Sequence, residues 1–198
     1  HDLWIICDEV YADMTYDAPF CSPFDRKQLR HRTLAVSSIS KSHALPGFRA
    51  GWVACPAAVT PRLVLVAEAM LFGSQPFIED ALVVALTEQH DEVQRMRVAY
   101  RERAQVLVEA INGSDAVSAR MPEGGMFVMV DVRATKLSGE EFAWKLLDDH
   151  NIGVMPGESF GLGGAGHIRI ALTVDASVLR KACETIRTMA EALVAKAK

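Results

Sequence analysis

Short apolar runs alternate with polar segments along the first third of the chain. The runs Leu3–Cys7, Thr33–Ser37 and Ala50–Ala54 are almost continuously apolar, and the first ends in acidic Asp8. Such runs are typical of strands that are buried on both faces of a mostly parallel sheet. A polar, proline-containing segment separates the first two runs, so this part of the chain is predicted to be α/β.

Helical periodicity follows these strands. Thr60 and Pro61 form a favourable helix start, and the pattern continues to about Phe72, after which Gly73 interrupts it. From Pro76 the pattern is helical almost to Asn112, with a highly charged middle. We therefore predict a long, solvated helix that connects two domains.

The periodicity changes again after Gly113. Ser138 and Glu141 have the spacing of a capping box that opens a helix. The predicted strands of this part are Gly125–Val130, Ile152–Met155 and His167–Leu172, and a last helix follows Asp175. We predict two domains, residues 1–112 and residues 113–198, the second of which is a small α+β domain.

Composition narrows the possible functions. Half of the 198 residues are hydrophobic and the formal net charge is −4, so no basic surface for nucleic acid or anionic membrane is expected. No apolar run approaches the roughly 20 residues of a membrane span. The six histidines show no metal-ligand spacing, and no metal is predicted. The four cysteines form no CxxC pair, which suits reduced thiols and a cytoplasmic location.

Chemically interesting residues follow two of the predicted strands. Lys41 lies in a serine-rich segment after the second strand, and Arg49 follows it eight residues later. Open α/β sheets bind ligands beyond the carboxyl ends of their strands, where a lysine could bond covalently to a carbonyl group. Asp8 ends the first strand, and Tyr11 follows at a spacing of three. Taken singly, each has a simpler interpretation: a solvated lysine, a strand-end aspartate and a packed tyrosine.

Taken together, these signatures are similar to those of the class I and II aminotransferases of fold type I. They occur in the order of that family across most of the chain: Asp8–Tyr11, Ser38–Lys41, Arg49, Gly124–Phe127, Pro156–Gly161 and Arg169. The resemblance implies the carboxyl-terminal part of the large cofactor-binding domain, followed by the small carboxyl-terminal domain. Its cofactor would be pyridoxal 5′-phosphate.

The resemblance also assigns roles to the residues that would meet the cofactor ring. Lys41 would hold the cofactor covalently and then move the α-proton of the substrate. Asp8 would pair with the pyridine nitrogen and keep it protonated. Tyr11 would donate a hydrogen bond to the phenolate oxygen of the ring.

The remaining assignments concern anions. Ser38 and Arg49 would bind the cofactor phosphate, and Ser40 is a further candidate for the same group. Arg169 would bind the α-carboxylate of the substrate with both arms of its guanidinium. Many members of the family have threonine where this chain has Pro46. The anchoring residues themselves match the family pattern.

The resemblance covers only the second half of a family chain. The glycine- and serine-rich phosphate loop, the aromatic residue that stacks on the cofactor and the Asn-Pro segment are not found in this sequence. We therefore expect this chain by itself neither to fold well nor to transaminate, and we expect the complete protein to be a homodimer.

Three functions are compatible with this sequence. The first is transamination between an amino acid and a 2-oxo acid. The segments Lys41–Ala44, Met70–Ser74 and Gly124–Asp131 resemble arginine–pyruvate transaminases. The expected donor is therefore arginine or another basic or neutral amino acid, and the expected acceptor is a 2-oxo acid such as pyruvate. The second is a carbon–sulfur lyase that uses the same Lys41, Asp8 and Tyr11. The third is the effector domain of a transcription regulator with an aminotransferase fold, for which the sequence offers no basic DNA-binding segment.

Overall fold

The chain is divided into two compact units, His1–Arg97 and Val98–Lys198. A computed structural model describes residues 1–88 and 91–196. The division falls within a helix, and the domain boundary after residue 112 stays a prediction. No helix of the described ranges has the length and apolar character that crossing a membrane requires.

The first unit contains a sheet with the order β1-β2-β3 among its described residues. Its strands are β1 (Ile5–Asp8), β2 (Thr33–Ser38) and β3 (Gly51–Ala54). β1 and β2 are parallel, whereas β3 pairs with β2 in the antiparallel direction. The sequence predicted a mostly parallel sheet and gave no sign of this change in direction. The connection from β2 to β3 stays at one end of the sheet, so the chain returns in the opposite direction.

Helices follow the strands in the first unit. They are α1 (Ile39–Ser42), α2 (Thr60–Leu71) and α3 (Pro76–Thr87); α4 (Asp91–Ile111) begins in this unit and continues past the division after Arg97. The prediction of one helix from Pro76 to about Asn112 is wrong, because Glu88 has an extended backbone and ends α3. Residues 89 and 90 lie outside the described residues. Asp91 and Glu92 then stand in the first turn of α4, where acidic side chains favour a helix start.

The second unit is an antiparallel sheet with the order β4-β5-β7-β6 among the described residues. Its elements are β4 (Ser118–Ala119), β5 (Phe127–Asp131), α5 (Gly139–His150), β6 (Met155–Pro156), β7 (His167–Ala171) and α6 (Ala176–Lys196). The predicted strand Ile152–Met155 is largely wrong, since only Met155 of that segment is in β6. The capping box is confirmed: Ser138 Oγ accepts from the Glu141 amide at 3.1 Å, and Glu141 Oε2 accepts from the Ser138 amide at 2.8 Å.

Burial alternates along the two central strands of this sheet. Val128 and Val130 on β5, and Ile168 and Ile170 on β7, are buried. α5 packs on this sheet and on α6, and its Phe142 is fully buried. The residues between the buried ones point to the opposite face of the sheet, and Arg169 is among them.

Candidate functional site

The carboxyl ends of β1 and β2 lie at the same edge of the first sheet. The two strands run parallel, with Asp8 paired to Val36, so Asp8 and Ser38 end their strands there. Asp8 is exposed, and its Oδ1 accepts a hydrogen bond from the Val10 amide at 3.2 Å. No Lys or Arg among the described residues forms an ion pair with Asp8, so its charge can serve a cation from outside this unit.

Tyr11 immediately follows this strand end. It is half-buried and precedes a short 3₁₀ turn, Ala12–Met14, whose Met14 is 1% exposed. α1 packs beside this turn. The chain after β1 therefore lies next to the helix that carries Lys41, although the two are separated by the long segment between β1 and β2.

Lys41 occupies a single helical turn, α1, directly after β2. Ser38 begins this turn: its Oγ accepts from the Ser40 amide at 3.3 Å, which is the usual arrangement of a helix N-cap. Ile39 is fully buried against Ala50, which fixes the turn on the unit's core. Lys41 is half-buried, so its position is set by a rigid element while its amino group stays within reach of a ligand.

Arg49 lies where the connection from α1 returns to the sheet. Its backbone is left-handed, with φ 53°, and its Nη1 donates to the carbonyl oxygen of Pro46 at 2.8 Å. Two residues later Gly51 pairs with Ser38. The pairing brings Arg49 back to the end of the sheet at which Ser38, Ser40 and Lys41 lie.

Arg169 belongs to the second unit. It lies on β7 opposite Met129 of β5, and its Cζ is 4.0 Å from the ring centre of Phe127 and 4.0 Å from that of Phe160. Its Nε is buried and has no hydrogen-bond partner among the described residues. An unpaired buried donor is unfavourable, so this nitrogen indicates a place for an anion.

Sequence reasoning missed the two phenylalanines. Phe127 and Phe160 were recognised only as parts of family signatures, with no role of their own. The alternation along β5 could have placed Phe127 on the same face as Met129, but the pairing of Met129 with Arg169 depends on the strand register. The position of Phe160 depends on a turn whose conformation the hydrophobic pattern does not predict.

That turn is held by Glu158, whose part was also missed. Glu158 Oε1 accepts hydrogen bonds from the Gly139 amide at 2.8 Å and from the Gly166 amide at 2.9 Å. The bond from Gly166 is the main reason that the pKa of the Glu158 carboxyl lies below its usual value. Glu158 thus ties the start of α5 and the segment before β7 to the turn that carries Phe160.

The residues at the edge of the first sheet match the polar groups of pyridoxal phosphate. Arg49 and the hydroxyls of Ser38 and Ser40 suit a phosphate, and the carboxylate of Asp8 suits a protonated ring nitrogen. The phenol of Tyr11 suits the ring oxygen, and the amino group of Lys41 suits the aldehyde. The donor set therefore fits this cofactor.

Known proteins resemble the chain in sequence. The family described as aminotransferase class I and II matches residues 1–186. The arginine–pyruvate transaminase of Pseudomonas aeruginosa is 45% identical over 197 residues, which are 100% of this chain and 50% of that protein. The aspartate aminotransferase of Musicola paradisiaca is 30% identical over 86% of this chain and 43% of that protein. The chain thus spans about half the length of the curated relatives it matches.

Solved structures agree with this result. The aromatic aminotransferase of Pyrococcus horikoshii superposes with a TM-score of 0.92 and 29% identity, over 97% of this chain and 52% of that chain. The aspartate aminotransferase of Rhizobium meliloti gives a TM-score of 0.88 at 25% identity, over 95% of this chain and 50% of that chain. The predicted fold class, the carboxyl-terminal part of fold type I, is confirmed. Since the family match covers nearly all of its residues, the chain belongs to the class I and II aminotransferases.

Proposed function

We propose that the complete protein carrying this chain is a pyridoxal-phosphate-dependent transaminase, which moves an amino group from an amino acid to a 2-oxo acid. The observation that carries the proposal is the helical turn of Lys41. It follows a buried strand, is capped by Ser38 and lies at the sheet edge where Asp8 and Arg49 also lie.

Separate residues would hold the separate parts of the cofactor. Arg49 binds the phosphate with its planar guanidinium, and Ser38 and Ser40 supply hydroxyl groups to the same anion. Asp8 pairs with the ring nitrogen, and Tyr11 donates to the ring oxygen. When bound, pyridoxal phosphate supplies the electron sink that makes the Cα–H bond of an amino acid acidic.

Lys41 has two tasks in this proposal. Its Nζ holds the cofactor before the substrate arrives, and afterwards the same amino group accepts the proton that leaves the substrate Cα. The buried Ile39 anchors the single turn of α1, so the side chain of Lys41 extends from a fixed backbone. A base held in the reactive geometry is more effective than a freely moving one, because less entropy is lost when the proton is transferred.

Arg169 supplies the substrate site of the proposal. Its guanidinium binds the α-carboxylate that amino acids and 2-oxo acids share, through two parallel hydrogen bonds. We propose arginine as the amino donor and pyruvate as the acceptor, supported by the 45% identity to the arginine–pyruvate transaminase. A homodimer and a cytoplasmic location remain predictions of the family resemblance.

The test is an absorbance titration of the complete protein with pyridoxal phosphate. A long-wavelength band of the lysine-bound cofactor is expected, which L-arginine removes and pyruvate restores. Borohydride should then fix the cofactor on a peptide that contains Lys41. Lys41→Ala should abolish the trapped adduct, and Lys27→Ala, at an exposed lysine of the same unit, should leave it intact.

Different results would contradict different parts of the proposal. A band that other amino acids remove while arginine does not would discard only the substrate pair. Release of ammonia and a 2-oxo acid without any acceptor would identify a lyase. A cofactor adduct that persists in Lys41→Ala would refute the assignment of Lys41.

A further inference from the structure

The guanidinium of Arg169 contacts two aromatic rings. Phe127 and Phe160 each place a ring centre 4.0 Å from Arg169 Cζ. At that distance both rings are in contact with the guanidinium. No carboxylate forms an ion pair with Arg169 in residues 1–88 and 91–196, although it is partly buried.

We propose that Phe127 and Phe160 are positioning residues that hold the guanidinium of Arg169 flat for the α-carboxylate of the substrate. This inference rests on the proposed transaminase function and deepens it. The rings attract the cation through their π-faces and shield those sides from water. The N–H edge of the group remains for a carboxylate that approaches in the same plane.

The sheet sets the position of Phe127. Met129 is directly opposite Arg169, and Phe127 is opposite Ala171, so Phe127 is a diagonal neighbour of Arg169 on the same face. Long and aromatic side chains span that diagonal distance. The contact is therefore fixed by strand register rather than by a flexible loop.

A rigid turn sets the position of Phe160. Glu158 in this turn accepts two backbone hydrogen bonds, from Gly139 and Gly166. Gly157 is packed so closely that a Cβ there would overlap the carbonyl oxygen of Gly164. The ring of Phe160 is thus held over Arg169 by neighbouring backbone contacts.

The unpartnered Nε of Arg169 also indicates that a ligand binds here. It is buried and has no hydrogen-bond partner among the described residues, so a ligand oxygen would satisfy it. Because the rings contact the arginine, their contribution to substrate binding should be the same for every substrate with an α-carboxylate. It should be absent for an amine that has the same side chain but no carboxylate.

The experiment uses the complete protein with pyridoxal phosphate. Phe160→Leu keeps an apolar side chain without a π-face, and it should raise KM for both the amino acid and pyruvate by about tenfold. kcat should change less, and the half-reaction with the carboxylate-free amine should be unchanged. Phe160→Tyr should restore the wild-type KM. Met129→Leu, directly opposite Arg169, is the control for packing alone.

A double-mutant cycle decides whether the ring acts through Arg169. Phe160→Leu should add almost nothing in an Arg169→Lys background. Effects that multiply, or an equal loss with the carboxylate-free amine, would overturn the inference.

A calorimetric titration of the same proteins with pyruvate reads carboxylate binding without turnover. If the protein does not transaminate, the proposed function fails. The positioning role of Phe160 still stands in that case if Phe160→Leu weakens pyruvate binding and Phe160→Tyr does not. Equal pyruvate affinity in all three proteins would refute it.

Discussion

Ser38 and Gly51 face each other across the antiparallel strands β2 and β3, and this pair closes the connection that carries Lys41 and Arg49. Gly51 approaches β2 so closely that a Cβ would lie 2.6 Å from the carbonyl oxygen of Ser37 and 3.0 Å from the Cβ of Ser38. Only glycine fits this position without moving the strand. The absence of a side chain at Gly51 thus keeps Ser38 in its place at the start of α1.

We expect Gly51→Ala to move β3 away from β2 and to weaken cofactor binding. The overpacking should lower the free energy of unfolding by about 1–3 kcal/mol. Gly47→Ala is the matched control, because a Cβ there meets nothing within 4 Å. Chemical denaturation and pyridoxal phosphate titration of the complete protein measure both effects, and equal behaviour of the two variants would contradict this account.

Phe142 and Trp144 lie two positions apart on α5 and differ in burial. Phe142 is fully buried, whereas Trp144 is 59% exposed. Phe142→Ala should lower the free energy of unfolding by about 3–5 kcal/mol through the cavity it leaves. Trp144→Ala should change it by less than about 0.5 kcal/mol, as exposed substitutions usually do. Denaturant unfolding of both variants tests the comparison, and a large loss in Trp144→Ala would show that this side chain is covered in the complete protein.

Glu158 should make stability depend on pH at the acid end. Its pKa is lowered in the folded protein, mainly by the hydrogen bond from Gly166. The stabilisation is therefore complete above the ordinary glutamate pKa of about 4.3 and is lost as the pH falls through the lowered folded value.

Glu158→Gln removes this titration. The wild type should have the higher Tm near neutral pH, and the difference should shrink below about pH 4. Thermal unfolding across this range measures it, with Glu184→Gln on the exposed side of α6 as the control. A difference between wild type and Glu158→Gln that stays constant with pH would contradict the charge-based account.

Cys183 should resist thiol reagents in the native protein. It is fully buried in α6, and burial raises the pKa of its thiol to about 12. The thiolate is the reactive form, so alkylation should require unfolding. Peptide mapping after iodoacetamide treatment should find Cys183 modified only in denaturant, and Cys21, exposed in this chain, modified earlier. Rapid native modification of Cys183 would show that α6 detaches from α5.

Several elements could be predicted because burial leaves a direct pattern in a sequence. The apolar runs place β1, β2 and β3, and the capping box at Ser138 places the start of α5. The break between α3 and α4 was not predicted, because apolar spacing continues on both sides of Glu88. The direction of β3 was not predicted either, since an apolar run indicates burial and carries no information about strand direction.

The family resemblance, carried by residue type and order along the chain, marked Lys41, Asp8 and Arg49 as candidates, and their roles stay predictions. Their common position at one sheet edge depends on which strands pair, and only the folded chain decides that. The two rings beside Arg169 depend even more on the tertiary structure. Phe127 and Phe160 meet there through strand register and a backbone turn, which are contacts between distant segments that no local pattern records.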